Sequence, residues 1–302
     1  MRIRIISTLF IMALLMSVTG RTQVKLQTVS PELTGAGLTQ IHTPHLVATP
    51  GLKNNRHQLL VMIPGTGGSA DCRAFRVFDS SFAVMGYYVV TLDYPNNVIT
   101  TTCSKSEDST CFDHFRQEIM FGTPVSDKVA VDTLNSLVNR LTKLLQYMAA
   151  KDVRWKEFTA KGKPLWDKII AAGHSQGAGH AAYMGKQFKL RGVLMFSGPQ
   201  DYLVNFNMPS RWQRESGHTP VNRYYAFLHV RDPFNFSYQV ADVTAINHQQ
   251  VTDTTMVQPQ VAVKSTRHIL VTDTDKAEPH GSTLGVQFLP VWRYMIFGAG
   301  RQ

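Results

Sequence analysis

The sequence predicts an α/β protein with a mostly parallel central sheet and helices on both faces of that sheet. Short apolar segments of strand length alternate along the chain with segments of helical spacing. Two of the apolar segments end in glycine-rich turns. With 302 residues, 43% of them hydrophobic and 17% charged, the chain is long enough for one large domain with a substantial core.

Residues 1–20 have the character of a secretory signal peptide. Two arginines form a basic start, residues 5–16 are almost wholly apolar, and small residues follow at 18–20. The apolar run of about a dozen residues is too short to span a bilayer comfortably, so we expect cleavage, with an uncleaved anchor as the alternative. We therefore expect a secreted or periplasmic protein, with residues 21–302 as a single domain and no stable membrane insertion after cleavage.

The strands of the predicted sheet are read from short apolar runs bounded by turn residues. Residues 22–49 alternate weakly between apolar and polar side chains, which predicts opening antiparallel strands. The buried strands that follow are predicted at residues 57–63, 86–92, 166–172, 192–196, 224–230 and 268–271. Because segments of helical spacing separate them, these strands are expected to run parallel, with right-handed crossovers.

Helices are predicted between these strands. Residues 70–85 have helical spacing, and Tyr294 lies in a closing helix. Ser126 is predicted to cap a long amphipathic helix, because apolar residues then recur at helical intervals. The stripe consists of Val131, Leu134, Leu137, Leu141, Leu144 and Met148.

The chain carries a net charge of +10, which raises the question of a nucleic-acid partner. Its lysines and arginines are scattered, with no basic run and no recognition-helix pattern, and a signal peptide also argues against such a partner. We therefore predict no nucleic-acid binding. No CxxC or HExxH spacing occurs, so no zinc site is predicted.

The three cysteines fit one disulfide and one free thiol. Cys103 and Cys111 bracket a polar loop and form the natural pair in an oxidising compartment, which leaves Cys72 as a small buried thiol. Pairing of Cys72 with Cys103, or three unpaired thiols, are the alternatives.

The segment from Gly173 to Gly177 reads Gly-His-Ser-Gln-Gly and matches the G-x-S-x-G nucleophile elbow. In that motif the serine sits on a sharp, strained turn between a strand and a helix, so the residues two positions away must lack side chains. The pentapeptide follows a predicted buried strand and precedes a run of small residues. Ser175 is therefore the candidate nucleophile, and a simple strand–helix turn is the alternative.

A serine nucleophile needs a base and an acid, which should follow in the order serine, acid, histidine. Asp232 ends a predicted strand and His280 lies in a loop beyond the last one. The imidazole would take the serine proton, and the carboxylate would hold its tautomer. Asp201 is the rival acid. Other candidates are expected to be structural or solvated: His229, His268, Asp273 and Asp275.

The oxyanion hole needs two backbone N–H groups. Gln176, directly after the nucleophile, is expected to supply one and Thr66 the other, with Gly67 as the rival of Thr66. The same glycine-rich loop also fits a dinucleotide fingerprint, with Asp93 at the end of the next strand. Asp93 lies farther from the glycines than this fingerprint requires, and exported proteins rarely bind NAD. No cofactor is therefore predicted.

These motifs together resemble the α/β-hydrolase superfamily. More closely, residues 55–290 resemble little-characterised exported bacterial hydrolases with an IPGTGG-type loop and a GHSQGxGHAA elbow, and share with them the segment KPLWDKIIAAGHSQG and the pattern C-x7-C-F at Cys103–Phe112. The resemblance implies the α/β-hydrolase fold and ester hydrolysis. It also implies roles for residues of this chain, namely a Ser175, Asp232 and His280 triad and an oxyanion hole at Thr66 and Gln176.

The sequence thus predicts an exported serine hydrolase that cleaves small or polymeric esters through an acyl-enzyme. The alternative is a catalytically silent α/β-hydrolase fold used for binding, because fold alone does not fix function. Residues 202–222 are expected to form a rim at the catalytic end, where Trp212 and Phe206 could line an acyl pocket. The natural ester and the oligomeric state are not predicted.

Overall fold

The computed structural model of the protein describes residues 23–248 and 253–300. The predicted signal peptide lies outside these residues. Nine strands form one central sheet, in the spatial order β1-β2-β4-β3-β5-β6-β7-β9-β8. In chain order they are β1 Lys25–Val29, β2 His45–Thr49, β3 Leu59–Ile63, β4 Tyr88–Thr91, β5 Ile169–His174, β6 Gly192–Phe196, β7 Tyr224–His229, β8 Thr254–Met256 and β9 Ile269–Thr272.

Seven neighbouring strands, from β4 through β3 to β8, pair in parallel, whereas β2 pairs antiparallel with both β1 and β4. The helices are α1 Arg73–Val84, α2 Cys111–Phe121, α3 Leu137–Lys151, α4 Gln176–Gln187, α5 Arg211–Arg214, α6 Phe236–Asn247, α7 Pro279–Ser282 and α8 Leu289–Ala299. None of these helices has the length and apolar character needed to cross a bilayer.

The sheet separates two hydrophobic cores, because successive side chains of a strand point to opposite faces. In β3, Leu59, Val61 and Ile63 belong to the core that includes residues of α2, α3, α4 and α6, whereas Leu60 and Met62 belong to the core that includes α1 and α8. All five are fully buried, as expected of a strand covered on both faces. The predicted mostly parallel sheet with helices on both faces is confirmed.

The predicted long helix is the main difference from the sequence analysis. It begins at Leu137 rather than after Ser126, and Ser136 is its cap. Residues 122–136 form turns instead. Leu134 is 47% exposed and lies off the apolar stripe.

The buried carboxylate of Glu118 explains this difference. It accepts hydrogen bonds from the backbone N–H groups of Val125, Ser126 and Val131, at 2.9, 2.8 and 3.0 Å. These backbone groups are thereby satisfied without a helix. The structure also adds α2 and the short edge strand β8, neither of which the sequence analysis predicts.

Candidate active site

Ser175 occupies a strained turn between β5 and α4, with φ at 59° and ψ at −125°. A non-glycine residue rarely adopts such a backbone conformation, and it persists only where the surrounding structure imposes it. A Cβ atom on Gly173 would overlap the carbonyl of Gly177, and one on Gly177 would overlap the carbonyl of Ile63. The two glycines of the motif are therefore required by close backbone packing around the serine.

His280 lies in α7, and its imidazole meets the carboxylate of Asp232. The distance from His280 Nδ1 to Asp232 Oδ2 is 2.7 Å. The backbone of His280 is fixed as well, because its carbonyl oxygen accepts hydrogen bonds from Ser197 Oγ at 2.6 Å and from His174 Nε2 at 3.1 Å. The imidazole thus has a set position and a carboxylate partner, which together fix its tautomer.

Asp232 follows β7, and its side chain is fully buried. Burial is the largest single effect and raises the pKa of this carboxyl. The hydrogen bond from His280, the charge of His280 and the backbone N–H of Phe234 all lower the pKa. Together they outweigh burial, so the pKa lies below its usual value. The N–H of Phe234 donates to Asp232 Oδ1 at 2.9 Å. The carboxylate is therefore ionised at neutral pH and able to stabilise a positive charge on His280.

Ser175 and His280 line the same pocket. Among the described residues, no hydrogen bond joins the two side chains, and His280 Nε2 is buried without a partner. Ser175 Oγ instead accepts a hydrogen bond from Gln200 Nε2 at 3.3 Å. Catalytic hydrogen bonds are often loose before substrate binds, so this geometry is compatible with a serine–histidine pair.

Asp201, the rival acid, lies in a different environment. Its carboxylate is fully buried and pairs with two nitrogens of the Arg116 guanidinium, one contact being Arg116 Nε to Oδ2 at 2.9 Å. Trp212 Nε1 donates to the same carboxylate at 2.9 Å. These partners occupy Asp201, and it makes no contact with His280.

The other acids and histidines considered from the sequence also lie away from the candidate nucleophile. His229 and His268 hydrogen-bond to the backbone carbonyls of Thr274 and Tyr224, at 2.8 and 3.1 Å. The Asp275 side chain is 94% exposed and contacts Arg231. Asp273 lies on the surface, where Gln258 Nε2 contacts its carboxylate.

The glycine-rich loop at residues 64–68 lies against the elbow. Its hydrogen bonds distinguish the two candidates for the second oxyanion donor. The N–H of Gly67 donates to the carbonyl of Asn96 at 2.9 Å, and the N–H of Gly68 donates to the carbonyl of Gly65 at 3.0 Å. Within the described chain the N–H of Thr66 has no acceptor. The geometry therefore favours Thr66 over Gly67.

The side chain of Gln176 links this loop to the elbow. Its Oε1 accepts hydrogen bonds from Thr66 Oγ1 and from the backbone N–H of Thr100, both at 2.8 Å. Gln176 is fully buried and begins α4 directly after Ser175. Both candidate oxyanion residues are thus held by one hydrogen-bond network.

Asp93, the acid that the dinucleotide-binding alternative requires, is buried and pairs with Arg140. Its carboxylate lies 3.0 Å from Arg140 Nη1 and accepts the backbone N–H of Thr43 at 3.1 Å. The carboxylate of Asp93 therefore already has partners within the protein.

Within residues 23–248 and 253–300, no group of three His, Cys, Asp or Glu side chains has a metal-binding arrangement.

The pocket in front of Ser175 has a volume of about 520 Å³. Most of its surface is apolar, and the side chains that provide this character include Phe75, Ile99, Phe234 and Leu284. No Asp, Glu, Lys or Arg of the described chain lines it. Such a pocket favours an uncharged, apolar group, because a charge moved into it would lose hydration without a partner.

The predicted rim at residues 202–222 does not line this pocket. Trp212 is 3% exposed and packs edge-on against Tyr183, with ring centroids 5.5 Å apart, in addition to its bond with Asp201. Phe206 is 37% exposed and does not line this pocket either. The aromatic character of Trp212 and Phe206 does not specify which cavity each side chain faces, so their positions could not be predicted from the sequence.

The disulfide between Cys103 and Cys111 is present, as predicted, with Cα atoms 5.5 Å apart. It joins a short 3-10 turn, Thr100–Cys103, to the first residue of α2. Cys72 is free, but it is partly exposed rather than buried as predicted, because it lines the pocket beside Ser175.

Asn96 and Gln200 are polar residues at the site that were not predicted from the sequence. Each follows a strand of the sheet by a few residues, Asn96 after β4 and Gln200 after β6. Polar residues that closely follow strands were therefore a usable signal for both, since ligands bind at the carboxyl ends of strands in such sheets.

No protein-family model and no curated protein sequence matches the chain. Solved structures resemble it at low sequence identity. An α/β-hydrolase enzyme from a Medee basin deep-sea metagenome library is 12% identical, with a TM-score of 0.46 over 91% of this chain and 96% of that one. Esterase 2 of Thermogutta terrifontis is 13% identical, with a TM-score of 0.42 over 84% and 86%. For acetyl xylan esterase from Aspergillus awamori the values are 12%, 0.42, 88% and 98%.

The architecture of the chain itself assigns the fold. Seven neighbouring parallel strands are flanked by helices on both faces, and the two strands at one edge are antiparallel. A strained serine turn follows the central strand β5 and opens α4. The chain has the α/β-hydrolase fold.

Proposed function

We propose that the protein is an exported serine hydrolase that cleaves carboxylic esters through an acyl-enzyme. The observation that carries this proposal is that Ser175 and His280 line one pocket, while Asp232 contacts His280 from behind. Ser175 lies on a strained turn at the pocket, His280 faces the same space, and Asp232 holds the far side of the imidazole at 2.7 Å. This is the arrangement of nucleophile, base and orienting acid that acyl transfer requires.

In the proposed reaction, His280 Nε2 takes the proton of Ser175 Oγ as that oxygen attacks the ester carbonyl carbon. The carbonyl oxygen becomes an oxyanion and accepts hydrogen bonds from the backbone N–H groups of Thr66 and Gln176. Collapse of the tetrahedral intermediate breaks the bond to the alcohol oxygen, which receives the proton from His280. Water then repeats the sequence on the acyl-enzyme and releases the acid, while Asp232 stabilises the imidazolium in both halves.

The lining of the pocket supports an uncharged ester with an apolar acyl or aryl group as the substrate class. Phe75, Ile99, Phe234 and Leu284 provide apolar surface, and among the residues that the structure describes no cationic side chain lines the pocket to bind a substrate carboxylate. A small neutral ester is therefore expected to be hydrolysed with a higher kcat/KM than one of similar length with a free carboxylate, such as p-nitrophenyl butyrate against p-nitrophenyl hemisuccinate.

Two features support export. The composition of residues 1–20 predicts a signal peptide, and the Cys103–Cys111 disulfide is typical of an oxidising compartment. Secretion or residence in the periplasm is the localisation we propose.

Replacement of the nucleophile tests the proposal directly. Ser175→Ala is expected to abolish hydrolysis of p-nitrophenyl butyrate and labelling by a fluorophosphonate probe, because no other group in the proposed reaction can form the acyl-enzyme. Ser109→Ala is the matched control, since Ser109 lies in the loop closed by the disulfide, away from the pocket. Wild-type esterase activity in the Ser175→Ala protein would show that the serine is not the nucleophile.

One observation favours a second candidate, a catalytically silent module that binds its ligand without turnover. Ser175 Oγ is hydrogen-bonded by Gln200, and His280 Nε2 has no partner among the described residues. Such a module would give no covalent adduct with the fluorophosphonate probe. Mass spectrometry of the labelled peptide containing Ser175 therefore separates the two functions.

A further inference from the structure

Asn96 lies just beyond β4 and makes three hydrogen bonds to the loop that carries Thr66. Its side-chain Nδ2 donates to the carbonyl oxygens of Gly65 and Gly68, at 2.9 and 3.0 Å. Its own carbonyl oxygen accepts the N–H of Gly67 at 2.9 Å. Asn96 is only 3% exposed, so these bonds form in a protected environment.

These bonds occupy the N–H groups of Gly67 and Gly68 but not that of Thr66. The N–H of Gly67 donates to the carbonyl oxygen of Asn96, and the N–H of Gly68 donates to that of Gly65. The N–H of Thr66, by contrast, has no acceptor in the described chain. Both N–H atoms of the Asn96 amide are used by loop carbonyls. The loop is therefore held in a shape that leaves the N–H of Thr66 available to a ligand.

We propose that Asn96 is a positioning residue of the oxyanion hole, an inference that rests on the proposed ester hydrolysis. Its side chain holds the loop so that the N–H of Thr66 is already directed at the developing oxyanion before substrate binds. A donor fixed in advance needs no reorganisation during the reaction, which is the main source of its catalytic effect. A displacement of about 1 Å can cost about 10²-fold in rate.

An asparagine that only stabilised the fold would have a different signature. Its loss would lower the thermal midpoint, while the molecules that remain folded would keep their kcat. A positioning residue acts on the transition state more than on the bound substrate. Its loss therefore lowers kcat with little change in KM, and it weakens a tetrahedral inhibitor by the same factor as kcat/KM.

Asn96→Asp is the sharpest variant, because the carboxylate has nearly the same shape but no N–H to donate to Gly65 and Gly68. Asn97→Asp is the matched control: Asn97 is the next residue, is exposed, and undergoes the same change of charge. We expect Asn96→Asp to lower kcat for p-nitrophenyl butyrate by about 10- to 100-fold, with KM within about twofold. Affinity for butylboronic acid, which forms a tetrahedral adduct on a catalytic serine, should fall by the same factor.

A second variant covers the case in which Asn96→Asp does not fold. Asn96→Ser retains a single hydroxyl donor and no charge, so it is expected to show a smaller loss of kcat than Asn96→Asp, again with KM little changed. Thermal unfolding of each variant establishes that it is folded at the assay temperature.

The outcomes separate the inference from the proposed function. If the wild type shows Ser175-dependent turnover and folded Asn96 variants match Asn97→Asp in kcat and boronic-acid affinity, the inference is overturned and the proposed function stands. If the wild type has no Ser175-dependent turnover, the proposed function fails and the inference fails with it. A parallel loss of kcat and boronic-acid affinity confined to the Asn96 variants supports both.

Discussion

The two aspartates that were candidates to orient His280 have different partners. Asp232 hydrogen-bonds His280 at 2.7 Å, whereas Asp201 is fully buried against Arg116 and Trp212. Asp232→Asn is expected to lower kcat by several powers of ten, because an amide in this place favours the wrong imidazole tautomer. Steady-state hydrolysis of p-nitrophenyl butyrate measures the effect.

Asp201→Asn is the comparison variant for this prediction. It breaks a buried ion pair and leaves the Arg116 charge uncompensated, which typically costs about 3–5 kcal/mol of stability. We expect a lower urea midpoint with kcat within about tenfold of the wild type at temperatures where the variant is folded. Loss of turnover in Asp201→Asn with an active Asp232→Asn protein would exchange the two roles.

The positions of residues that directly follow strands can be predicted from the strand order. The sequence predicts that Ser175, Asp232 and His280 lie together, because each follows a strand and parallel strands bring their carboxyl ends to one edge. Gln200 and Asn96 also follow strands, but their contacts depend on the course of irregular turns, which periodicity does not describe. The burial of Trp212 was missed for a related reason, since its indole N–H finds a carboxylate eleven residues earlier in the chain, Asp201.

At the scale of whole elements, the segment before α3 shows how a tertiary contact overrides a periodic pattern. The spacing of apolar residues from Val131 onward fits a helix, yet the chain forms turns up to Ser136. Glu118, near the end of α2, supplies the acceptors that those backbone N–H groups would otherwise find within a helix. The sheet was predicted well because its buried strands are continuous apolar runs, whose identity depends little on such contacts.

The disulfide connects an element to the site. It fixes the turn Thr100–Cys103 to α2, and the N–H of Thr100 donates to Gln176 Oε1 at 2.8 Å. Replacement of Cys103 and Cys111 by serine is expected to lower the free energy of unfolding by about 2–3 kcal/mol, because the crosslink restricts the unfolded chain over a short loop. Urea denaturation measures the loss.

Cys72→Ser is the control for this prediction, because Cys72 is not in the disulfide. Its urea midpoint should stay closer to that of the wild type than the midpoint of the double variant does. The prediction would be contradicted by equal midpoints for the wild type and the double variant. Peptide mapping without reductant should show the Cys103–Cys111 peptide in protein produced in an oxidising compartment.

At the scale of the whole molecule, three histidines make stability depend on pH: His45 and His180 are buried, and His174 is half-buried at the pocket. Burial, with the charge of Arg140 adding to it, lowers the pKa of His45 to about 3. Burial, followed by the charge of His280, lowers the pKa of His174 to about 4, and burial with the charge of Arg116 holds the pKa of His180 well below its usual value. In the unfolded chain each ring has an ordinary pKa near 6.5.

Acid therefore destabilises the fold through these rings. As the pH falls below about 6.5 the unfolded chain binds protons that the folded protein does not, so each ring lowers the free energy of unfolding by about 1.4 kcal/mol per pH unit until its folded pKa is reached. Asp79 and Asp242 act with the opposite sign, because burial raises the pKa of both carboxyls and stability from them is lost as the pH rises. Their contribution reduces the net slope of the wild-type protein.

His180 is the residue on which this dependence can be isolated. Its ring is fully buried, neither nitrogen has a partner within the described residues, and it lies between Tyr94 and Phe115, with centroids 5.3 and 6.4 Å away. His180→Phe should reduce the loss of unfolding free energy between pH 7 and pH 5 by about 2 kcal/mol relative to the wild type. Any change in packing acts equally at both pH values and cancels in this difference. The contributions of the buried carboxyls are the same in both proteins and cancel as well.

His218→Phe is the control, because His218 is exposed. This variant should leave the pH difference as in the wild type. Urea titrations at the two pH values give the measurement, and an unchanged pH difference in His180→Phe would mean that the buried ring is not held neutral by the fold.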